Sequence, residues 1–303
     1  MTITTNDSSF ESSNRNIETK LSLSSTTTQS FVDDEIQENF RRSSLEIIIF
    51  NILIPLFALA SIGVCLLPQY GILPGWIVFG INFVLATQIA ILTHELIHEP
   101  NSKTNWNYLL RLNLHLYSPF TFGFAEYKKL HCLHHAHAND PEQDPDYFFI
   151  QGGRLRAFIC LAFAPEYLFF YALRKGKTQP GFYILQSIRI AVFLAYIYFI
   201  GLQNIFFLFF IPSKLSWGIG FLLFSYESHI SSKGDRDGNY NLEPHSGVLR
   251  NFLKLLVGPY AYYVAFSHAS HHMYPQISGR KIGQLLEHLK ERGISLPARQ
   301  VLE

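Results

Sequence analysis

Residues 47–93 read IIIFNILIPLFALASIGVCLLPQYGILPGWIVFGINFVLATQIAILT, 47 positions without a charged side chain, and the chain then runs into His94-Glu95-Leu96-Ile97-His98. A helix crosses the hydrocarbon core of a bilayer in about 20 residues, so this stretch has room for two crossings and a tight connection. Pro68, Gly71, Pro74 and Gly75 supply turn formers at its middle. Arg41 and Arg42 precede the first crossing, while the connection carries no charge. Basic flanks stay cytosolic, which predicts that His94 and the residues after it return to the cytosolic side.

Composition extends that reading to the whole chain. Only 16% of the 303 residues are charged, against roughly 25% in a soluble domain. Aromatics make up 15%, and 27 of them are Phe, which excludes a coiled coil or a disordered scaffold. A net charge of +1 argues against a nucleic-acid partner. Cys65, Cys132 and Cys160 form no paired pattern, which excludes a disulfide-stapled secreted fold and implies reduced thiols.

Residues 1–40 hold 19 Ser, Thr or Asn and 7 acidic against 2 basic side chains. Such a segment buries too little apolar surface to offset its ordering entropy, and it lacks the pattern of a secretory signal. Residues 1–43 are therefore expected to form a disordered tail, 44–290 the membrane domain and 291–303 a short C-terminal tail. A second apolar block, 182–224, is interrupted by Arg189, Lys214 and a break at Gly201–Asn204. It predicts a second helical hairpin with the fourth crossing near 205–225. Stretches 155–173 and 251–267 are shorter and flanked by charge, Pro and Gly, so they are expected as interfacial or core helices. The fold class expected is an all-α integral membrane protein with about four transmembrane helices and a cytosolic histidine-rich cap.

Eight of the 13 histidines fall in three clusters: His94 and His98; His131, His134 and His135; His268, His271 and His272. Positions i, i+3 and i+4 share a helix face, so each cluster is expected to aim its imidazoles at one point. Buried histidines at a membrane boundary need partners, and a metal absorbs this many. Two more crossings would bring His229 and the third cluster to the same side. Nine nitrogens exceed the four that zinc normally takes, so two metals with four or five each would use the set. Imidazole suits Fe, Zn, Cu and Ni alike. Zinc in a structural or transport-linked site of a non-redox membrane protein is the rival reading.

Metal-bound histidines donate their other N–H to a carboxylate or carbonyl, and Glu95, Asp140, Asp144, Asp146 and Glu227 are placed to accept it. Asp144 and Asp146 stand foremost, because the resemblance described next retains both. His137, two past His135, is expected outside the ligand set, and His115, His245 and His288 as ordinary surface or interfacial residues. The run Phe206–Phe210 is expected to face lipid. The basic residues Arg280, Lys281, Lys290 and Arg292 are expected as a solvated face near anionic lipid.

The H-x3-H, H-x2-HH, H-x2-HH set resembles the membrane di-iron superfamily of fatty acid desaturases, hydroxylases and carotenoid oxygenases. The stretch HCLHHAHANDPEQDPDYF (131–148) followed by Gly152-Gly153 is similar to the second box of cyanobacterial β-carotene hydroxylases, and carotene ketolases share a looser form of it. Tyr226-Glu-Ser-His229 is similar to a Tyr-Leu-Pro-His segment of both, and His271-His272-Met-Tyr-Pro resembles the end of the third box. The chain departs from the carotenoid pattern at Glu95, where Asp is usual, in the lead-in to His268 and after Pro275. The resemblance implies two Fe ions held by His94, His98, His131, His134, His135, His229, His268, His271 and His272, with O2 as co-substrate. It implies oxidation of an unactivated C–H bond in a membrane-dissolved lipid, with a carotenoid end ring as first choice and fatty acyl desaturation or hydroxylation as the alternative. It also implies an external electron donor such as ferredoxin, since the sequence has no G-x-G-x-x-G dinucleotide motif. A plasma or thylakoid membrane would be the location in a cyanobacterium.

Overall fold

The protein is described by a computed structural model that covers residues 35–36, 38–99, 120–121, 123–176, 178, 181–222, 226, 229, 241–244, 247–293 and 299–302. The chain divides into two units, Met1–Arg41 and Arg42–Glu303. In the first, residues 35–36 and 38–40 are helical; the rest of the expected tail lies outside the described residues. Arg42 and Ser43 fall in the second unit.

Among its described residues that unit is mainly helical, with one pair of four-residue parallel strands, β1 (Asn241–Pro244) and β2 (Arg299–Leu302). Among the described residues four stretches are long and apolar enough to cross a membrane: Ser44–Tyr70, Gly75–Ile97, Phe182–Ile200 and Leu202–Phe221. The first comprises α1 (Ser44–Val64) and a 3-10 turn, Leu67–Tyr70. A capping box starts α1: the Ser43 side chain accepts from the Glu46 amide while Glu46 accepts from the Ser43 amide. α2 (Gly75–Ile97) follows Pro74 and packs along α1.

The second hairpin is α6 (Phe182–Ile200) and α7 (Leu202–Phe221). Its break is confined to Gly201, whose φ of +89° suits glycine and lets the chain reverse. Gln69, from the connection between the first two crossings, donates to the Ile200 carbonyl and so ties the two turns together. Inside α7, residues Ile205–Phe210 wind as a π-helix ahead of Pro212. Proline has no N–H, so the Leu208 carbonyl four residues earlier loses its usual helical donor. Asn82 of α2 supplies the replacement through its side-chain amide, which also touches Cys65 Sγ. A polar residue in mid-membrane is thus accounted for by a proline on the neighbouring helix. The same winding corrects the expectation for the Phe-rich run: Phe206 and Phe207 are exposed, whereas Leu208 and Phe209 are buried.

Between the hairpins lie α3 (Phe124–His137), α4 (Arg154–Ala162) and α5 (Ala164–Arg174). The last two bend by 71° at Phe163, forming a broken span or a re-entrant element. Pro165, at the second position of α5, excludes one continuous helix. α4 packs on α7, and Lys214 inside α7 is paired with Glu166 of α5. Arg189 of α6 donates to the Thr121 carbonyl at 2.9 Å, and a Cβ on Gly123 would strike both Glu126 and Arg189. The charges expected inside the apolar blocks therefore both find polar partners in the segments between the hairpins.

After the second hairpin come α8 (Gly247–Phe266), α9 (His268–Met273) and α10 (Ile282–Glu291). α8 kinks at Gly258, where φ is +83° and a Cβ would lie 3.2 Å from the Gln88 amide of α2. Pro259 follows, so the kink has both of its usual causes.

Candidate metal centre

Four segments deliver the nine histidines. His94 lies in the last turn of α2 and His98 caps it; His131, His134 and His135 lie on α3; His268, His271 and His272 lie on α9; His229 precedes β1. The nine sort into two groups, and within each group the available donor atoms lie within 4.8 Å of one another. One group is His94, His98, His131, His135 and His271; the other is His134, His229, His268 and His272.

This corrects the expectation that each cluster aims at a single point. At about 100° per residue, position i+4 lies about 40° from i, while i+3 lies about 60° away on the opposite side. His94 with His98, His131 with His135 and His268 with His272 therefore stay together as i, i+4 pairs. His134 and His271, the i+3 members, cross into the other group. Adjacent histidines are split between two sites, which interlocks α3 and α9 around both.

Imidazole nitrogens face one another inside each group. His131 Nε2 is 3.2 Å from His98 Nε2 and 2.9 Å from His135 Nε2. His268 Nε2 is 3.0 Å from both His229 Nε2 and His272 Nε2. Rings of the two groups meet where His135 stacks on His272, with centroids 4.0 Å apart and planes 12° from parallel. Both ring nitrogens of buried His271 lack a hydrogen-bond partner among the described residues. Burial first, and then the crowding of neighbouring imidazoles, holds His131, His135, His268, His271 and His272 well below the usual histidine range. Neutral imidazoles keep the lone pair that a metal needs.

His134 is the exception. Burial pushes it down, but Asp144 and Asp146, with the hydrogen bond to Asp144, outweigh that and raise it to about 9. Its Nδ1 lies 2.9 Å from Asp144 Oδ1, the arrangement that fixes a tautomer and leaves Nε2 for a metal. Asp144 is held in turn by the amides of Asn139 and Asp146, at 2.9 and 2.8 Å. Asp146 Oδ2 stands 3.8 Å from the same Nδ1, beyond hydrogen-bond reach. Burial chiefly pushes the Asp146 carboxyl up, to about 6.

The expectations for Glu95 and Asp140 are corrected. Glu95 does not orient a histidine; its Oε2 takes Arg42 Nε and the Gly279 amide, each at 2.9 Å. Asp140 accepts from the Glu142 and Gln143 amides in an exposed turn. His137 joins neither group. Glu227, His115 and His245 lie outside the described residues. Arg42, read from sequence as a cytosolic flanking charge, is fully buried. Tyr226 donates to the Gly152 carbonyl at 3.0 Å, which ties the segment before His229 to the end of the second box.

A narrow apolar cleft lies between α2 and α7 and reaches His94 of the five-histidine group. Thr87, Ala90, Ile91 and His94 line one wall, Ser216, Trp217, Gly220 and Phe221 the other, and Tyr127 of α3 closes beside His94. From Thr87 to His94 it follows α2 for seven residues, about 10 Å. The Thr87 and Ser216 hydroxyls bond to each other at 2.8 Å, which removes their polarity from the apolar wall.

The donor set fits transition-metal ions: two groups of imidazoles, with no thiolate or carboxylate joining either among the described residues. The sequence family described as fatty acid desaturase matches residues 41–297, from just before α1 to beyond α10. No curated protein matches the chain.

Proposed function

The chain belongs to the fatty acid desaturase family, and from that premise we propose that this membrane oxidoreductase oxidises an unactivated C–H bond of a lipid at two irons. The observation that carries the reading is the pairing of nine imidazoles in two adjoining groups with an apolar cleft that ends on His94. Iron bound at these groups supplies activation of O2. The five histidines around His94 and the four around His268 would each hold one ion. His134, oriented by Asp144, presents Nε2 to the second group.

The cleft excludes water and admits hydrocarbon laterally from the bilayer, with Trp217 stacked on Phe221 as its far wall. Hydroxylation consumes O2, two electrons and two protons per C–H converted and releases one water. Desaturation removes two hydrogens and releases two waters. Both need an external one-electron carrier such as a ferredoxin, which would approach the histidine-bearing side. We assign that side to the cytosol, because Arg41 precedes the first crossing while the connection between the first two crossings carries no charge.

The second-box similarity over 131–148 supports a carotenoid end ring as substrate. A fatty acyl chain is the second reading, supported by the family and by a cleft that runs only about 10 Å between two helices. Expression in cells that make β-carotene, followed by mass spectrometry of pigments and acyl lipids, tests both, with His134→Ala as the blank. A carotenoid that gains a hydroxyl or ketone establishes the first reading; a newly unsaturated or hydroxylated acyl chain establishes the second. Purified protein containing zinc and no iron, with neither product formed, would sink the oxidoreductase mechanism.

A further inference from the structure

We propose that Arg42 is a positioning residue for the five-histidine group, an inference that rests on the metal-centre reading above. Its guanidinium is fully buried two residues ahead of α1, and each of its nitrogens binds a different acceptor, two at the end of α2 and one beyond α9. Nε donates to Glu95 Oε2 at 2.9 Å, Nη1 to Glu99 Oε1 at 3.2 Å and Nη2 to the Pro275 carbonyl at 3.0 Å. Glu95 directly follows His94, Glu99 directly follows His98, and Pro275 lies four residues beyond His271. The carboxylates extend the reach: Glu95 also accepts the Gly279 amide, and the Glu99 carbonyl accepts Lys128 Nζ, three residues ahead of His131.

One side chain thus joins the segments that carry His94, His98 and His271, three of the five members of that group, and the Lys128 bond to Glu99 adds the helix that carries the other two, His131 and His135. α2 ends at Ile97, so His98 and Glu99 lie where the helical ladder runs out and side-chain ties must replace it. Glu46 anchors the same loop from α1, accepting from Ser278 at 2.8 Å, Tyr260 at 2.9 Å and Arg280 at 2.9 Å. The four-histidine group depends on a different tie, Asp144 on His134. A buried arginine with two carboxylates costs desolvation that its pairing barely returns, so stability alone is a weak reason for it. Its planar fork can serve three acceptors in fixed directions, which an ammonium cannot.

The test uses the full-length protein in detergent, loaded with Co2+ alone, which reports coordination by its visible absorption without turnover. Wild type is expected to bind two cobalt ions per chain. Arg42→Gln should bind one of its two cobalts about 10–100-fold more weakly, with helix content by circular dichroism unchanged, and Arg280→Gln, in the neighbouring Glu46 pair, should keep both at wild-type affinity. Arg42→Lys should release one ion to a chelator faster than wild type. Two cobalts with the wild-type spectrum and wild-type affinity in Arg42→Gln would overturn the inference, as would loss of both ions together with the fold. Should Arg42→Gln fail to accumulate, Arg42→Lys decides: wild-type release from both sites overturns it. A wild type that binds no cobalt would instead overturn the metal-centre reading itself.

Discussion

The five-histidine and four-histidine groups share two helices, α3 and α9, yet are held by opposite means. The first gathers His94 and His98 from the end of a crossing helix, and its outer tie is a cation, Arg42, acting through Glu95 and Glu99. The second includes no residue of that helix, and its outer tie is a carboxylate, Asp144, acting directly on His134. The apolar cleft reaches only the first. Two sites that look equivalent in their imidazoles therefore differ in what surrounds them: one is wired into the membrane hairpin, the other into the loops beyond it.

The largest effect should come from removing one imidazole on each side. His272→Ala leaves three donors in its group and should lower bound metal from two ions to one per chain. His98→Ala leaves four, enough for a tetrahedral site, and should keep two ions with one bound more weakly. Metal analysis across a chelator series separates the cases, and equal losses in both would erase the distinction. Next in size, Asp144→Asn should weaken metal binding at the four-histidine group by about 10–100-fold and spare the other. Competition with a coloured chelator measures it; weakening of both ions would show that the ties are not independent.

Asn82→Leu leaves the Leu208 carbonyl without its donor and should cost about 1–3 kcal/mol of stability. Its checks are a lower thermal midpoint in detergent with metal content unchanged, because Asn82 lies in the hairpin region and touches neither group. Smallest of all, Arg280→Gln removes a half-exposed ion pair, with 52% of the Arg280 side chain accessible, and should shift stability by less than about 1 kcal/mol. A large shift in the same melting assay would mean that the loop after the third cluster depends on Arg280 as well as on Arg42.

Much of the arrangement was legible in the chain. Long uncharged runs marked the crossings because hydrocarbon admits little else, and three histidine clusters marked the centre because i, i+3 and i+4 repeats leave a visible pattern. The ties were harder to read. Arg42 beside Arg41 has the appearance of a topogenic charge, and nothing local shows that its partners lie 53, 57 and 233 positions away. Glu95, sitting between two histidines, suggested a histidine partner; helical geometry turns it instead toward Arg42. Asp144 was legible because the resembling second box retains it, but so does Asp146, and only the fold of the turn held by Asn139 brings Asp144 and not Asp146 within hydrogen-bond reach of His134.

The amino-acid sequence by itself determined the solvent, the helices and the chemistry of the centre, since hydropathy, helical period and imidazole identity are properties of short stretches. Tertiary structure decided how nine histidines divide into five and four, which neighbours of each stand behind it, and where a hydrocarbon cleft meets them. Those depend on the rotation of α2, α3 and α9 about their own axes, where a residue's shift turns every side chain by about 100°. Only packing against the other helices sets that angle.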